Sequence, residues 1–311
     1  MVLNKIGITG ATGMLGRHIR ATLEEAGSQV VAVSREKDTI QKVAGWNLKD
    51  WQSLKDLDLI FKGVQVVVHA GAMLPNRLGV YDEGTAFNAN VRSSLNLGLW
   101  AIERQVPIVY VSGAIVYKDH VNMYSDENEE LGWNELGGFY GFSKLLAENA
   151  LTNLRSNGLK LAVIRPSSIY GFGLPENKMV SSFLNVAKAD EIILLRPPVD
   201  DRIDFIHTAD VSLAILAILK MDAWDTFNIA SGNLLSAQEL AEACVSVSGH
   251  GSIDVLKENP PERAPVNRFS LNTQRAKTFI GWQPSFSIER GLKMMLGGNM
   301  SPGFEDANKN L

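Results

Sequence analysis

The chain has 311 residues, 45% of them hydrophobic, which is enough to bury a large core as one α/β domain or two closely associated ones. Its 30 basic and 34 acidic residues give a formal net charge of −4, and the sequence has no basic block that could track a phosphate backbone. We therefore expect no nucleic-acid partner.

No apolar run approaches the roughly 20 residues that a membrane-spanning helix needs, so we expect no membrane partner. Residues 1–8 also lack the charged region and the long apolar stretch of a secretory signal. The single cysteine, Cys244, cannot form an internal disulfide and lies in a helical pattern, where we expect a core residue. These features favour a cytoplasmic protein.

Short β-branched runs alternate with longer helical patterns through the first half of the chain. Buried strands are predicted at residues 6–9, 30–33, 64–69, 108–112 and 161–164. Apolar residues at helical spacing predict helices between them, over residues 15–23, 91–102 and 145–154. The repeated strand and helix order predicts an α/β protein with a doubly wound parallel sheet of the Rossmann type. Ligands of such sheets bind outside the carboxyl ends of the strands.

A glycine-rich stretch joins the first predicted strand to the first predicted helix, with the spacing Gly-x-x-Gly-x-x-Gly. Glycine permits a tight turn and a close backbone approach to a pyrophosphate, which the amide groups of the helix N-terminus would bind. This strand-to-helix position is the context that a dinucleotide site requires. We expect six residues to contact the cofactor: Gly10, Thr12, Gly13, Met14, Leu15 and Gly16.

The end of the second strand bears on the choice of dinucleotide. NAD enzymes usually place a carboxylate there that accepts from the ribose 2′-hydroxyl, whereas this chain has Ser34 and Arg35. A guanidinium suits a 2′-phosphate, although a solvated arginine at a strand end is the alternative reading. We therefore expect NADP as the cofactor, with NAD as the second choice.

Tyr140 and Lys144 lie at the start of a predicted helix, four residues apart and hence on one face. A free phenol has a pKa near ~10, and an adjacent ammonium stabilises the phenolate, which makes tyrosine a better base near neutral pH. We predict that both residues are catalytic and that both also contact the cofactor.

These motifs resemble the extended branch of the short-chain dehydrogenase/reductase superfamily, the nucleotide-sugar epimerase/dehydratase family. The resemblance continues through His69-Ala70-Gly71-Ala72, through Asn90-Val91, and through the segments 165–171, 204–210, 227–232 and 271–284. One difference is Asn47, where relatives often carry an acid near the adenine. The resemblance implies further cofactor contacts from Asn47, Leu48, Ala70, Gly71, Ala72, Asn90, Pro166 and Ser168.

A second difference concerns the hydroxyl that assists hydride transfer in the family. Relatives place Ser or Thr four residues before the tyrosine that matches Tyr117, and this chain has Gly113 there. Ser112 is one residue earlier, and on a regular strand it would point to the opposite face. Either a local bulge presents Ser112, which we rank first as a catalytic and substrate-binding residue, or Ser167 or Ser168 serves, or catalysis is weakened.

The resemblance implies a nucleotide-linked sugar as the substrate, epimerised or reduced at C4, and no metal. The Rossmann domain would comprise residues 1–170 and 203–230, and a smaller C-terminal α/β substrate lobe would comprise 171–202 and 231–298. Residues 299–311 are polar and without apolar period, so we expect a flexible tail. Candidate substrate contacts, besides Ser112, are Arg202, Arg263, Asn177 and Arg77.

Two alternatives stay open at the level of the sequence. One keeps hydride transfer but acts on a steroid-like or aldehyde carbonyl, and a substrate lobe without convergent arginines would favour it. The other is a regulatory protein that binds NADP without catalysis, which Gly113 supports and the Tyr140 and Lys144 pair argues against. By resemblance we also expect a homodimer, paired through the helices near residues 90–102 and 140–154.

Overall fold

A parallel sheet forms the centre of the protein in the computed structural model, which describes residues 5–34, 43–45, 54–75, 82–120, 124–257 and 269–298. The strands of the described residues are β1 Lys5–Thr9, β2 Gln29–Ser34, β3 Val43–Gly45, β4 Val66–His69, β5 Ile108–Val111, β6 Tyr124–Ser125, β7 Leu161–Pro166, β8 Ser168–Tyr170, β9 Ile192–Leu195, β10 Arg202–His207, β11 Thr226–Ile229, β12 Leu234–Ser236, β13 Ser252–Val255 and β14 Ser270–Leu271.

Helices connect these strands. They are α1 Met14–Glu25, α2 Leu54–Ile60, α3 Glu83–Phe87, α4 Ser93–Arg104, α5 Gly138–Asn153, α6 Met179–Lys188, α7 Thr208–Met221, α8 Ala237–Ser248, α9 Gln274–Ile280 and α10 Ile288–Leu296. A π-helical turn, Asn88–Arg92, joins α3 to α4, and short 3₁₀ turns cover Ala114–Val116 and Leu154–Asn157.

The central sheet has the strand order β11-β7-β5-β4-β1-β2-β3, seven strands within the described part of the chain, and every neighbouring pair is parallel. Strands β4, β5, β7 and β11 are buried along their whole length, as expected for strands covered on both faces. The predicted Rossmann-type α/β fold is therefore confirmed. All five predicted strands are present, with ends that differ by one or two residues, and Ser112 falls just outside β5.

Two apolar clusters cover the two faces of this sheet. On one face, α1 and α7 pack against the sheet through residues such as Ile19, Leu23 and Ile215. On the other face, α2, α4 and α5 contribute residues such as Trp100 and Leu151. Because all seven described strands run parallel, their carboxyl ends, and the loops that follow them, lie along one edge of the sheet.

A third apolar cluster lies outside the central sheet, among α6, α8, α10 and β9. Cys244 belongs to it and is fully buried, as predicted. Two small sheets, β12-β10-β8 and β13-β9, adjoin this cluster. Helix α8 begins with a capping box between Ser236 and Glu239, which satisfies its first amide groups locally. No helix within the described ranges combines the length and apolarity of a membrane span.

Candidate active site

The loop after β1 forms a cradle that side chains would fill. Gly10 has a φ of +69°, in the left-handed region that favours glycine, and its carbonyl accepts from the amide of Gly13 at 2.9 Å. A Cβ on Gly16 would overlap the Gly10 carbonyl, so α1 can approach β1 only with glycine there. Gly13 caps α1 without a side-chain hydrogen bond, and the first turn has no acidic residue. The first amide groups of α1 are therefore available for an anion, and these residues fit a dinucleotide pyrophosphate.

The end of β2 lies beside this loop. Thr12 Oγ1 and Ser34 Oγ are 3.1 Å apart, and the Ala11 amide donates to the Val33 carbonyl at 3.1 Å. Ser34 therefore lies within reach of the position that an adenosine ribose takes in this fold. Arg35, Asn47 and Leu48 lie outside the described residues.

A chain of hydrogen bonds runs inward from β1 to β4 and α4. Thr9 Oγ1 lies 2.6 Å from His69 Nδ1, and His69 Nε2 lies 2.9 Å from Ser94 Oγ. Since Ser94 donates to the Asn90 carbonyl at 2.6 Å, its oxygen is left to accept from His69 Nε2–H. Burial lowers the pKa of His69 to about 3, with a further contribution from the charge of Lys144, so the ring is neutral at neutral pH.

Asn90 lies in the π-helical turn, a type of helix distortion frequent at functional sites. Its side chain exchanges two hydrogen bonds with the backbone of Met73 and donates to Ser143 Oγ at 2.9 Å. Ser143 in turn donates to the Tyr140 carbonyl at 2.7 Å. Asn90 thus links the loop after β4, where Ala70 and Gly71 are half-buried and Ala72 is exposed, to the first turn of α5.

Helix α5 begins at Gly138 and carries both predicted catalytic residues. Tyr140 is half-buried, and Lys144 is only 3% exposed. Lys144 Nζ donates to the Val111 carbonyl at the end of β5, at 2.6 Å, and lies 4.3 Å from the ring centroid of Tyr110. Burial lowers the pKa of Lys144 to about 7, and the negative charge of Glu148 opposes this shift.

Ser112, the first-ranked hydroxyl donor, contacts the protein interior. It is 6% exposed, and its Oγ donates to Glu148 Oε2 at 2.5 Å. The other oxygen of Glu148 accepts from Nε and Nη2 of Arg165, at 3.0 and 2.6 Å. Ser112 directly follows β5, and its amide still donates to the Ile164 carbonyl of β7 at 2.8 Å. Its side chain therefore points to a buried carboxylate partner, as expected for a residue one position away from Gly113.

Gly113 follows Ser112 with extended backbone angles, φ 172° and ψ 158°, and a Cβ placed there would meet only Ile115, at 3.8 Å. Of the other two hydroxyls considered, Ser167 donates to Asp204 Oδ1 at 2.7 Å, and Ser168 is exposed at the start of β8. Pro166 ends β7 and is buried.

The predicted substrate residues lie at separate places. Arg202 Nη1 and Nη2 donate to the two oxygens of Glu239 at 2.9 Å each, and Nη1 also donates to the Leu234 carbonyl. Asn177 is exposed just before α6. Arg77 and Arg263 lie outside the described residues.

Sequence reasoning missed the buried partners of the site. Glu148 stands four residues after Lys144, which places it on the same helix face, and Arg165 is the one charged residue in the apolar run of β7. Both residues could have been noticed in the sequence. A charge inside an apolar pattern needs a partner, so the two together indicate a buried ion pair.

Comparison with known proteins agrees with this architecture. A candidate UDP-glucose 4-epimerase from Methanocaldococcus jannaschii is 26% identical over 301 residues, 93% of this chain and 96% of that protein. The crystal structure of UDP-N-acetylglucosamine 4-epimerase from Bacillus cereus matches with a TM-score of 0.81 and 23% identity, covering 94% of this chain and 96% of that chain. The UDP-glucose 4-epimerase of Thermus thermophilus, in complex with NAD, matches with a TM-score of 0.79 and 20% identity, covering 94% of this chain and 98% of that chain.

A family model described as the NAD dependent epimerase/dehydratase family matches residues 6–230, which is most of the chain. The matched region contains the glycine loop, β4, β5, α5 and β7, and hence every element that builds the site described above. The chain therefore belongs to the NAD-dependent epimerase/dehydratase family and is an enzyme.

Proposed function

We propose that this enzyme binds a nicotinamide dinucleotide and acts on a nucleotide-linked sugar, epimerising it or reducing its keto form at C4. The observation that carries the proposal is the position of Tyr140 and Lys144. Both lie on α5 beside the carboxyl end of β5, in the same sheet whose β1 ends in the glycine cradle. The sugar-nucleotide epimerases among the similar proteins support the substrate class.

The residues of the site have separate roles in this proposal. Gly10, Gly13 and Gly16 would hold the pyrophosphate, and Lys144 would hold the nicotinamide ribose. A bound nicotinamide supplies or accepts hydride. Tyr140 gives a proton to the reacting sugar oxygen, or takes one from it, and the Lys144 ammonium stabilises the phenolate that this leaves. Asn90 and Ser143 fix the first turn of α5 and so orient Tyr140.

We infer that the preferred dinucleotide is NADP. Within the described residues, β2 carries no carboxylate and ends in Ser34, which contacts Thr12, so no acidic side chain of this strand repels a 2′-phosphate. NAD is the alternative, supported by the family description and by the NAD complex of the Thermus thermophilus enzyme.

A second candidate function follows from the contacts of Arg202. Glu239 already engages its guanidinium with two hydrogen bonds, so it can bind a diphosphate only if that ion pair opens. A carbonyl substrate without a diphosphate, steroid-like or aldehyde-like, would need no such cation. The lobe formed by 171–202 and 231–298 would bind either substrate.

The test is a substrate screen of the purified enzyme. NADPH and NADH oxidation would be followed with 4-keto nucleotide sugars and with simple carbonyls, beside an epimerisation assay on UDP-sugars. We expect turnover with nucleotide sugars, lowered by a factor of about 10² to 10⁴ in Tyr140→Phe, with cofactor affinity unchanged. Activity on simple carbonyls alone would select the second candidate, and full activity in Tyr140→Phe would refute the role of the phenol.

A further inference from the structure

Behind the proposed catalytic pair lies a buried ion pair that the mechanism above does not use. The side chains of Glu148 and Arg165 are 2% and 5% exposed, with Glu148 Oε1 2.6 Å from Arg165 Nη2. Ser112 donates to the second carboxylate oxygen, so both oxygens of Glu148 are occupied. Glu148 follows Lys144 by one helical turn on α5.

Such a pair is weak evidence for a stabilising role. Removing two charges from water is costly, and apolar side chains of similar volume often replace a buried ion pair with no loss of stability. The position beside Lys144 therefore needs another explanation, and electrostatics provides one.

The groups that face Lys144 differ in charge. Tyr110 of β5 is neutral, because burial raises its pKa well above the ordinary value, and His69 of β4 is neutral because burial lowers its pKa. On α5 itself, Tyr140 is the reacting phenol, and Glu148 is the acidic group whose charge acts on Lys144. Burial alone drives Lys144 toward the neutral amine, which could not stabilise a phenolate.

We propose that Glu148 is a positioning residue that keeps Lys144 in its ammonium form, and thereby sets the upper pH limit at which Tyr140 can work. Arg165 and Ser112 hold the carboxylate in place for this task, since they occupy both of its oxygens. The inference rests on the proposed function to the extent that Lys144 and Tyr140 are the reacting pair.

The experiment measures the pKa of Lys144 in the free protein, without any substrate. Lysine would be labelled with ¹³C at the ε-carbon, and the Lys144 signal assigned by its absence in Lys144→Met. Glu148→Gln keeps the side-chain volume and removes the charge. It also keeps both contacts, because the glutamine carbonyl can accept from Arg165 and the glutamine amide can donate to Ser112. We expect this variant to lower the pKa of Lys144 by about one to two units, as for a charge lost at a distance of one helical turn.

Arg165→Gln is the matched control, because it breaks the same ion pair but removes the opposite charge. We expect the pKa of Lys144 to be unchanged or raised in this variant. An equal decrease in both variants would mean that packing, and not the charge of Glu148, acts on Lys144, and would overturn the inference. If a single variant fails to fold, the double variant Glu148→Gln/Arg165→Gln buries no unpaired charge. The pKa of Lys144 in the double variant must lie below that in Arg165→Gln, because these two proteins differ only in the charge of Glu148, and at or above that in Glu148→Gln.

The kinetic arm uses whichever substrate the screen identifies. The alkaline limb of the kcat/KM profile, which reports the free enzyme, should move to lower pH in Glu148→Gln by the same shift that the NMR titration gives. A lowered pKa of Lys144 together with an unchanged alkaline limb would refute the functional part of the inference. A shifted Lys144 in an enzyme that turns over no nucleotide sugar would leave the electrostatic coupling intact and contradict only the proposed substrate.

Discussion

Neighbouring residues decide what a given side chain can do at this site. Ser112 and Gly113 are adjacent in the sequence, yet Ser112 contacts buried Glu148, while Gly113 is half-buried and a Cβ there would make only an ordinary contact with Ile115. Extended backbone continues for these two residues past the end of β5, since the Ser112 amide still donates to the Ile164 carbonyl and Gly113 has extended angles, so their side-chain directions are opposite. A hydroxyl in the expected segment of the sequence therefore need not point toward the reacting atoms.

Ser34 provides a test of cofactor choice at the scale of one residue. Ser34→Asp would place a carboxylate at the end of β2, where it accepts from a ribose 2′-hydroxyl and repels a 2′-phosphate. We expect the preference to change from NADPH to NADH, with a shift in the ratio of the two Kd values of roughly 10-fold or more, about 1.4 kcal/mol. Fluorescence titration of each reduced cofactor measures this, with Ser34→Ala as the control for loss of the Thr12 contact. An unchanged Kd ratio in Ser34→Asp would show that β2 does not contact the ribose.

At the scale of elements, the start of α7 holds the C-terminal part of the chain. Asp210 Oδ1 accepts from the amide and the hydroxyl of Ser285, both at 2.9 Å, and Oδ2 accepts from the Phe286 amide at 3.1 Å. Trp282 Nε1 donates to the Asp210 carbonyl at 3.0 Å. One fully buried carboxyl group thus fixes the segment that leads into α10.

This arrangement predicts a pH dependence of stability. Burial, the largest effect, raises the pKa of Asp210 from 3.8 to about 6, against the hydrogen bonds from Ser285 and Phe286. The folded state therefore binds the proton more tightly than the unfolded state, and the contribution of Asp210 to the free energy of unfolding decreases as pH rises from about 4 to about 6. The total change would be at most about 3 kcal/mol.

Urea denaturation of the wild type and of Asp210→Asn at several pH values measures this contribution. The difference in unfolding free energy between the two proteins should change across this window and be constant above it. The informative quantity is the change of this difference with pH. Its absolute size also contains the acceptor for the Phe286 amide that Asn loses, which does not depend on pH. A difference that stays constant from about pH 4 to about pH 7 would contradict the assignment.

At the scale of the whole molecule, α4 and α5 lie side by side on one face of the sheet and leave large apolar side chains exposed. Leu99 of α4 is 42% exposed and Phe142 of α5 is 37% exposed. These residues support the proposal that two copies of the chain pair through this face.

Leu99→Glu tests the proposed homodimer. A carboxylate in the centre of an apolar interface would remain unpaired and desolvated, so we expect the dimer to dissociate to monomers at micromolar concentration. Light scattering coupled to size exclusion measures the mass. Met221→Glu, at an exposed site at the end of α7, is the control and should leave the mass unchanged. A monomeric wild type would exclude the homodimer.

The order of strands and helices was predictable because it depends on local signals. The apolar runs of β1, β2, β4, β5 and β7, and the turn chemistry of the glycine loop, act within a few residues of chain. The other nine strands of the described residues escaped prediction, and for β3, β6 and β14 the reason is that two or three residues carry no periodicity. Their existence depends on neighbouring strands that supply hydrogen-bond partners, such as β2 for β3.

The sequence by itself determined the alternation of strands and helices, the glycine cradle and the pairing of Tyr140 with Lys144 on one helix face, because spacing along a single element specifies each of them. The tertiary structure decided the partners: Glu148 for Ser112, Glu239 for Arg202, and Val111 for the Lys144 ammonium. These contacts join residues up to 37 positions apart, between elements whose relative placement follows from the burial of both sheet faces. No local pattern encodes such a distance, so only the folded chain shows which charges meet.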